Sequence, residues 1–164
     1  MPRAKHRKLL VFVVIVIASI FSFFIPQSSL QKAKVIRVID GDTVELSNHK
    51  HVRYIGMNTP EMNFKSGAPE CYAKEATNFN KKLVLGKTVY LGKDISYEDK
   101  YHRLLRYVYV KNGSGSKMLV NEEMVKQGYA TMYMYPPDVR LTLKFLFAHM
   151  NAIRQGKGLW GACQ

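Results

Sequence analysis

No CxxC pair occurs in the chain, and its two cysteines, Cys71 and Cys163, stand far apart. A zinc ribbon or a thioredoxin-like redox site needs closely spaced thiols, so both are improbable. The pair is either a disulfide clamping the C-terminus onto an early helix or two unrelated buried thiols. Acid is also scarce, with 12 Asp and Glu against 25 Lys and Arg and none in the first 25 residues. There is no internal repeat and no low-complexity tract, which excludes a solenoid or an extended disordered chain.

The chain begins instead with Arg3, Lys5, Arg7 and Lys8, followed by 17 uncharged, almost wholly apolar residues from Leu9 to Ile25. A helix of that length is roughly 26 Å long, just enough for a hydrocarbon core of about 30 Å. No A-x-A-like cleavage pattern follows, so the sequence predicts an uncleaved signal anchor rather than a cleaved export signal. With the cations held inside, everything after Pro26 is expected outside the cytoplasm. Export favours the disulfide reading of the cysteines.

At 164 residues with 47% hydrophobic content, the chain has room for one domain and this appendage. The expected divisions are a leader with a transmembrane segment over 1–25, a linker over 26–33 and a folded domain over 34–164. The overall charge is +13; without the four leader cations, 21 basic residues face 12 acidic ones, a net +9. Such an excess attracts polyanions, whether nucleic acid, anionic envelope polymer or lipid headgroups. Charge alone does not choose among them.

Within the domain, 34–46 reads as strand, Asp-Gly turn, strand, and 51–57 as a third strand after a turn at 47–50. A loop over 58–69 leads into a helix from Pro69 to Val84, with Ala73, Ala76, Phe79 and Leu83 on one face. Strands are predicted over 87–92 and 103–110, a short helix over 118–127 stopped by Gly128, and a last helix after Pro136, Pro137 and Asp138. This α+β order, five short strands and about three helices with one helix between the third and fourth strands, suits a five-stranded barrel of OB type.

The stretch from Asp40 to Glu61, DGDTVELSNHKHVRYIGMNTPE, gathers carboxylates, amides, hydroxyls and Arg53 in an otherwise basic chain. A divalent cation wants several oxygens at one point, and a phosphodiester wants a fixed cation beside it. Ordinary turn chemistry accounts for DG, SNH and TP equally well. Arg103, following an acidic loop, either serves chemistry or pairs with Asp99 or Glu98.

DGDTV, RYIGMNTPE, DKYHRLLRYVYV, LVNEEMVKQGYA and a terminal GLW, in this order and spacing, together resemble the staphylococcal nuclease (thermonuclease) family from about Lys34 to Trp160. The resemblance implies an OB-fold barrel and a calcium-dependent phosphodiesterase acting on DNA and RNA, with one Ca2+ ion. By position it implies that Asp42 is the direct calcium carboxylate, that Thr59 gives its backbone carbonyl, and that Asp40 supports the metal through water. Glu61 falls on the acid that orients or deprotonates the attacking water, and Arg53 and Arg103 on the two phosphate-binding arginines. Tyr133 and Tyr135 fall on tyrosines lining the nucleotide pocket. Two departures stand out. Asn58 replaces a calcium carboxylate, which predicts weaker metal binding. His102 stands where the family often has Gly before the second arginine, so it strains the backbone and displaces Arg103, itself meets the substrate phosphate, or is a tolerated loop residue, the commoner outcome for such a histidine. A binding module without turnover is the competing expectation, and nothing signals assembly, so a monomer is expected.

Overall fold

The computed structural model describes residues 30–63 and 67–163. The expected leader and residues 26–29 of the expected linker lie outside the described residues. Strands β1 (Gln31–Val38), β2 (Thr43–Leu46) and β3 (His51–Tyr54) form an antiparallel meander, with Val44 opposite Val38 and Val52. Strand β5 (Thr88–Gly92) pairs with the other edge of β1 and with β6 (Leu104–Lys111). A parallel pairing of β3 with β6, Arg53 opposite Leu105, closes five strands into a barrel. Alternation along β3 sends Val52 and Tyr54 inward with Val108 of β6, and a register shift between Val35 and Arg37 lets β1 turn both Val35 and Val38 inward, each of the five buried to within 7% exposure. Burying an aliphatic side chain of this kind stabilises the fold by about 1.5–3 kcal/mol.

Helix α1 (Ala73–Val84) spans from β4 (Met57–Asn58) to β5, as the element order required. Its buried face is Ala73, Ala76, Thr77, Asn80 and Val84, with Phe79 partly buried and stacked on Tyr129 at 4.1 Å between ring centroids. Helix α2 (Val120–Lys126), a short strand β8 (Thr131–Met132), α3 (Thr142–Arg154) and one turn of helix α4 (Leu159–Ala162) complete the chain. Cys71 and Cys163 form a disulfide with Cα atoms 5.9 Å apart, fastening the end of α4 to the segment before α1. Among the described residues no helix is long and apolar enough to cross a membrane.

Four boundaries differ from expectation. Strand β1 starts at Gln31, so the last residues of the expected 26–33 linker belong to the sheet, where Lys32 and Ala33 pair with β5. The third strand stops at Tyr54, because Gly56 turns the chain at φ 83° and Met57–Asn58 pairs separately with β8. A Cβ on Gly56 would lie 2.2 Å from the Phe145 ring, so both the turn and the packing require glycine here. The first helix begins at Ala73 rather than Pro69, after Tyr72 adopts a left-handed φ of 71°. Met118 and Leu119 lie in a strand, β7 (Lys117–Leu119), paired with β6, and the helix starts only at Val120.

Candidate active site

The turn between β1 and β2 is closed by the Ile39 and Asp40 amides, which both donate to the Thr43 carbonyl. Asp40 Oδ1 accepts from the Asp42 amide at 3.0 Å and so locks the turn from within. Gly41 gives it room: a Cβ there would sit 2.6 Å from the Thr59 side chain. The closeness brings Thr59 onto Asp42, whose Oδ2 accepts from both the amide and the hydroxyl of Thr59 at 3.0 Å. Asp42 Oδ1 accepts from the Thr43 hydroxyl at 3.0 Å and pairs with the Arg53 guanidinium. A carboxylate only 1% exposed is tolerated because each oxygen is paired.

Arg53 reaches this carboxylate because β2 and β3 pair with Thr43 opposite Arg53. It also donates to Asn58 Oδ1, so one guanidinium joins the acidic turn to β4. Burial, and then repulsion from Arg103, lower the Arg53 pKa, while Asp40, Glu61 and Asp99 pull the other way. An arginine so placed still stays charged at any working pH. Burial pushes the Asp40 carboxyl up, against Arg53, its bonds with Thr43, and Arg103.

Arg103 stands just before β6 and is held by Asp99. Its amide donates to Asp99 Oδ1 at 3.0 Å, and its Nε and Nη2 approach Asp99 Oδ2 at 2.7 Å. Of the two pairings open from sequence, Asp99 is the one formed. His102 adopts φ 62°, the left-handed conformation anticipated for a glycine position. Its ring is 87% exposed and lies 3.2 Å from Glu98 Oε1, outside the lining of the cleft described next.

Arg53 and Arg103 line one cleft of about 580 Å³ with Lys100, Tyr101, Tyr133 and Tyr135. Tyr133 and Tyr135 stack at 6.4 Å between centroids and are more than half exposed. The Tyr133 amide donates to the Gly56 carbonyl, which sets this segment against the end of β3. Asn58 and Thr59 also line a neighbouring groove with Glu70 and Thr131, while Asn58 Oδ1 meets Arg53 and Thr59 meets Asp42. Glu61 is exposed, its amide donating to Glu70 Oε2 at 2.8 Å.

Sequence reasoning missed Asn80. Wholly buried on α1, it donates to the Asp40 carbonyl at 3.2 Å and accepts from the Tyr54 hydroxyl at 3.0 Å. Burial raises the Tyr54 phenol, so it remains a neutral donor. The available signal was an asparagine four residues after Ala76, on the apolar face of the helix. Asp138 was likewise read only as a helix-introducing residue; it is buried and accepts from the Ser96 amide at 2.8 Å, joining two walls of the cleft.

Among the described residues no three His, Cys, Asp or Glu side chains converge as a metal-binding group. Asp42 meets the hydroxyls of Thr43 and Thr59, its amide meets Asp40 Oδ1, and Asn58 Oδ1 is joined to it through Arg53.

A five-stranded closed barrel, with a helix between its third and fourth barrel strands and two arginines and paired tyrosines around one cleft, defines a protein of OB type. The chain belongs to the staphylococcal nuclease family, whose profile, described as "Staphylococcal nuclease homologue", matches residues 51–162. It is similar to the thermonuclease of Staphylococcus hyicus, 33% identical over 133 residues that cover 79% of this chain and 76% of the relative. The thermonuclease of Staphylococcus intermedius is 34% identical over 129 residues, 77% of this chain and 74% of the relative. Endonuclease YncB of Bacillus subtilis (strain 168) is 33% identical over 139 residues, 82% of this chain and 64% of the relative.

Proposed function

We propose that the protein is a nuclease that hydrolyses phosphodiester bonds of DNA and RNA with calcium, outside the cytoplasm. Residues 1–25 hold it to the membrane, or release it if the leader is cut. The observation that carries the chemistry is that Arg53 and Arg103 line one cleft while Arg53 also contacts the buried Asp42. The relatives named thermonuclease and endonuclease support the same reading.

A phosphodiester is anionic and repels a nucleophile, so hydrolysis needs its charge offset as phosphorus becomes five-coordinate. Arg53 and Arg103, fixed by Asp42 and Asp99, present guanidiniums to its equatorial oxygens. Loss of one such fixed donor costs on the order of 3 kcal/mol, about a hundredfold in rate. Glu61 orients or deprotonates the attacking water. Tyr133 and Tyr135 offer faces on which a base stacks, a contact of about 1–3 kcal/mol with little sequence preference.

Asp42, Asp40, Asn58 and the Thr59 carbonyl would hold the ion, an oxygen-only donor set that would suit a hard cation such as calcium. Bound there, calcium supplies Lewis-acid stabilisation of the phosphoryl oxygen. Asn58 contributes an oxygen without charge, so affinity falls in the weak, extracellular range.

The test is to incubate the full chain with single- and double-stranded DNA and with RNA, in calcium or in chelator, beside Glu61→Gln and Arg103→Ala. The expected result is cleavage that needs calcium and drops about a hundredfold or more in each variant. Binding without cleavage, or cleavage indifferent to both chelator and Glu61→Gln, overturns the proposal.

A further inference from the structure

Helix α3 is apolar on two opposite sides. Phe145, Ala148 and Ala152 are buried against the barrel. Leu143, Phe147, Met150 and Ile153, spaced four, three and three residues apart, are 46–68% exposed. Four large apolar side chains in one outward stripe over about three turns exceed the scattered exposure normal for a soluble surface.

Beside the stripe, between α2 and α3, runs a groove of about 570 Å³ walled by Phe147 and by Lys126, Lys144, Arg154 and Lys157. Its one acid, Glu122, is paired with Lys144 at 3.0 Å, which leaves the groove strongly positive. An apolar stripe flanked by lysine and arginine is the pattern of a helix lying in a membrane interface.

We propose that this face of α3 seats the domain on an anionic lipid bilayer, with headgroup phosphates in the basic groove and Leu143, Phe147 and Met150 among the acyl chains. Charge complementarity favours this occupant over a second copy of the chain, which would set four cations against four. The aliphatic stripe favours it over nucleic acid, because Leu143, Met150 and Ile153 offer no ring for a base to stack on. The side chain of Arg140 reaches the point where the chain enters the barrel. A Cβ on Gly92 would lie 3.1 Å from Leu30 and 3.9 Å from Arg140, two residues before α3, so Leu30 and Arg140 flank one point. The apolar run Leu9–Ile25 ends five positions before Leu30. Five residues span at most about 18 Å, so a leader that enters the bilayer keeps the barrel entrance, where the Arg140 guanidinium lies, within that reach of it. The inference does not rest on the nuclease reading.

The test places tryptophan at Phe147 in the full chain, with the unaltered protein and its single Trp160 as background. Vesicles of phosphatidylcholine, with or without phosphatidylglycerol, carry acyl chains brominated to quench tryptophan at depth. The emission added by Phe147→Trp is expected to shift to the blue and be quenched in the acidic vesicles only. Arg154→Glu with Lys157→Glu, added to Phe147→Trp, is expected to lose that quenching while flotation with vesicles persists through the leader. Absence of quenching in vesicle-bound protein, equal quenching in both lipids, quenching that survives the charge reversal, or a response to a DNA duplex in place of vesicles overturns the proposal.

Discussion

Asn80 donates to the backbone carbonyl of Asp40 at 3.2 Å from a wholly buried position on the first helix. With its other atom it takes the hydroxyl of Tyr54, the residue after Arg53. One amide therefore braces both the turn that presents Asp42 and the strand that presents Arg53, and links them to a helix that touches neither charge.

Asn80→Ala strands the Asp40 carbonyl and the Tyr54 hydroxyl inside the barrel. Each unsatisfied buried group costs about 1–3 kcal/mol, so the expected loss of stability is about 2–5 kcal/mol in urea denaturation. Tyr54→Phe keeps the bond to Asp40 and is expected to lose only about 1 kcal/mol. In conditions where both variants are folded, Asn80→Ala is expected to lower kcat more than Tyr54→Phe. Equal kcat values would show that the bond to Asp40 does not position the turn.

His102 holds a left-handed backbone conformation directly before Arg103. That conformation costs a side-chain-bearing residue about 1–2 kcal/mol, against about 0.5–1 kcal/mol of extra chain entropy for glycine. The exposed contact with Glu98 adds little. His102→Gly is therefore expected to stabilise the protein by up to about 1 kcal/mol, read as a raised urea midpoint at unchanged m. A lowered midpoint would mean that the imidazole contributes more than its exposure suggests.

Asp99 gives a pH dependence of definite sign. Burial pushes its carboxyl up, but the Arg103 amide and guanidinium and the Tyr101 amide outweigh burial and hold it below the usual 3.8. A depressed native pKa contributes stability that is present above the unfolded value and is lost as pH falls through the native one. The stability gap between the wild type and Asp99→Asn is expected to be constant from pH 7 to about pH 5 and to close in more acid solution. The same substitution loosens Arg103, so nuclease KM is expected to rise. A gap that widens in acid contradicts the assignment.

Much of this was legible in the sequence because local chemistry and tertiary need agree. Asp-Gly-Asp-Thr reads as a turn and is one, and the alternation in His51–Tyr54 is that of a half-buried strand. The family motifs implied phosphate-binding roles for Arg53 and Arg103 and a nucleotide pocket for Tyr133 and Tyr135; in the structure these four side chains line one cleft. Failures came where two patterns coincide over few residues. Met118 and Leu119 suit a helix start as well as a strand, and only pairing with Tyr109 and Val110 decides between them. The apolar run through Met57 hides the break at Gly56, whose positive φ and lack of a Cβ fit it against the distant Phe145 ring. Asn80 showed only as an asparagine on an apolar helix face, and its role stayed hidden because its partners are a backbone carbonyl 40 residues away and a tyrosine 26 residues away.

The disulfide closes a long loop, with Cys71 and Cys163 separated by 92 positions. Chain-entropy arguments assign a loop of that length about 4–5 kcal/mol, though strain and residual structure bring measured effects to about 2–5 kcal/mol. Reduction by dithiothreitol, or Cys71→Ser with Cys163→Ser, is expected to lower unfolding stability within that range. Reduction without effect on the urea midpoint would show that α4 is already held by packing.

Asn58 shares the Arg53 guanidinium with Asp42, and an added charge at position 58 acts on both the arginine and any cation beside it. With an amide there, the oxygen set carries the charge of two carboxylates, and calcium affinity follows ligand charge count. Calorimetry on the wild type is expected to give a Kd of roughly 10⁻⁴–10⁻³ M. Asn58→Asp adds a third carboxylate and is expected to tighten calcium by about tenfold or more. The same carboxylate competes for Arg53, drawing the guanidinium away from substrate phosphate. Calcium affinity is thus expected to improve while KM for DNA rises. Micromolar affinity in the wild type, or no tightening in Asn58→Asp, would show that the amide is not what limits the metal site.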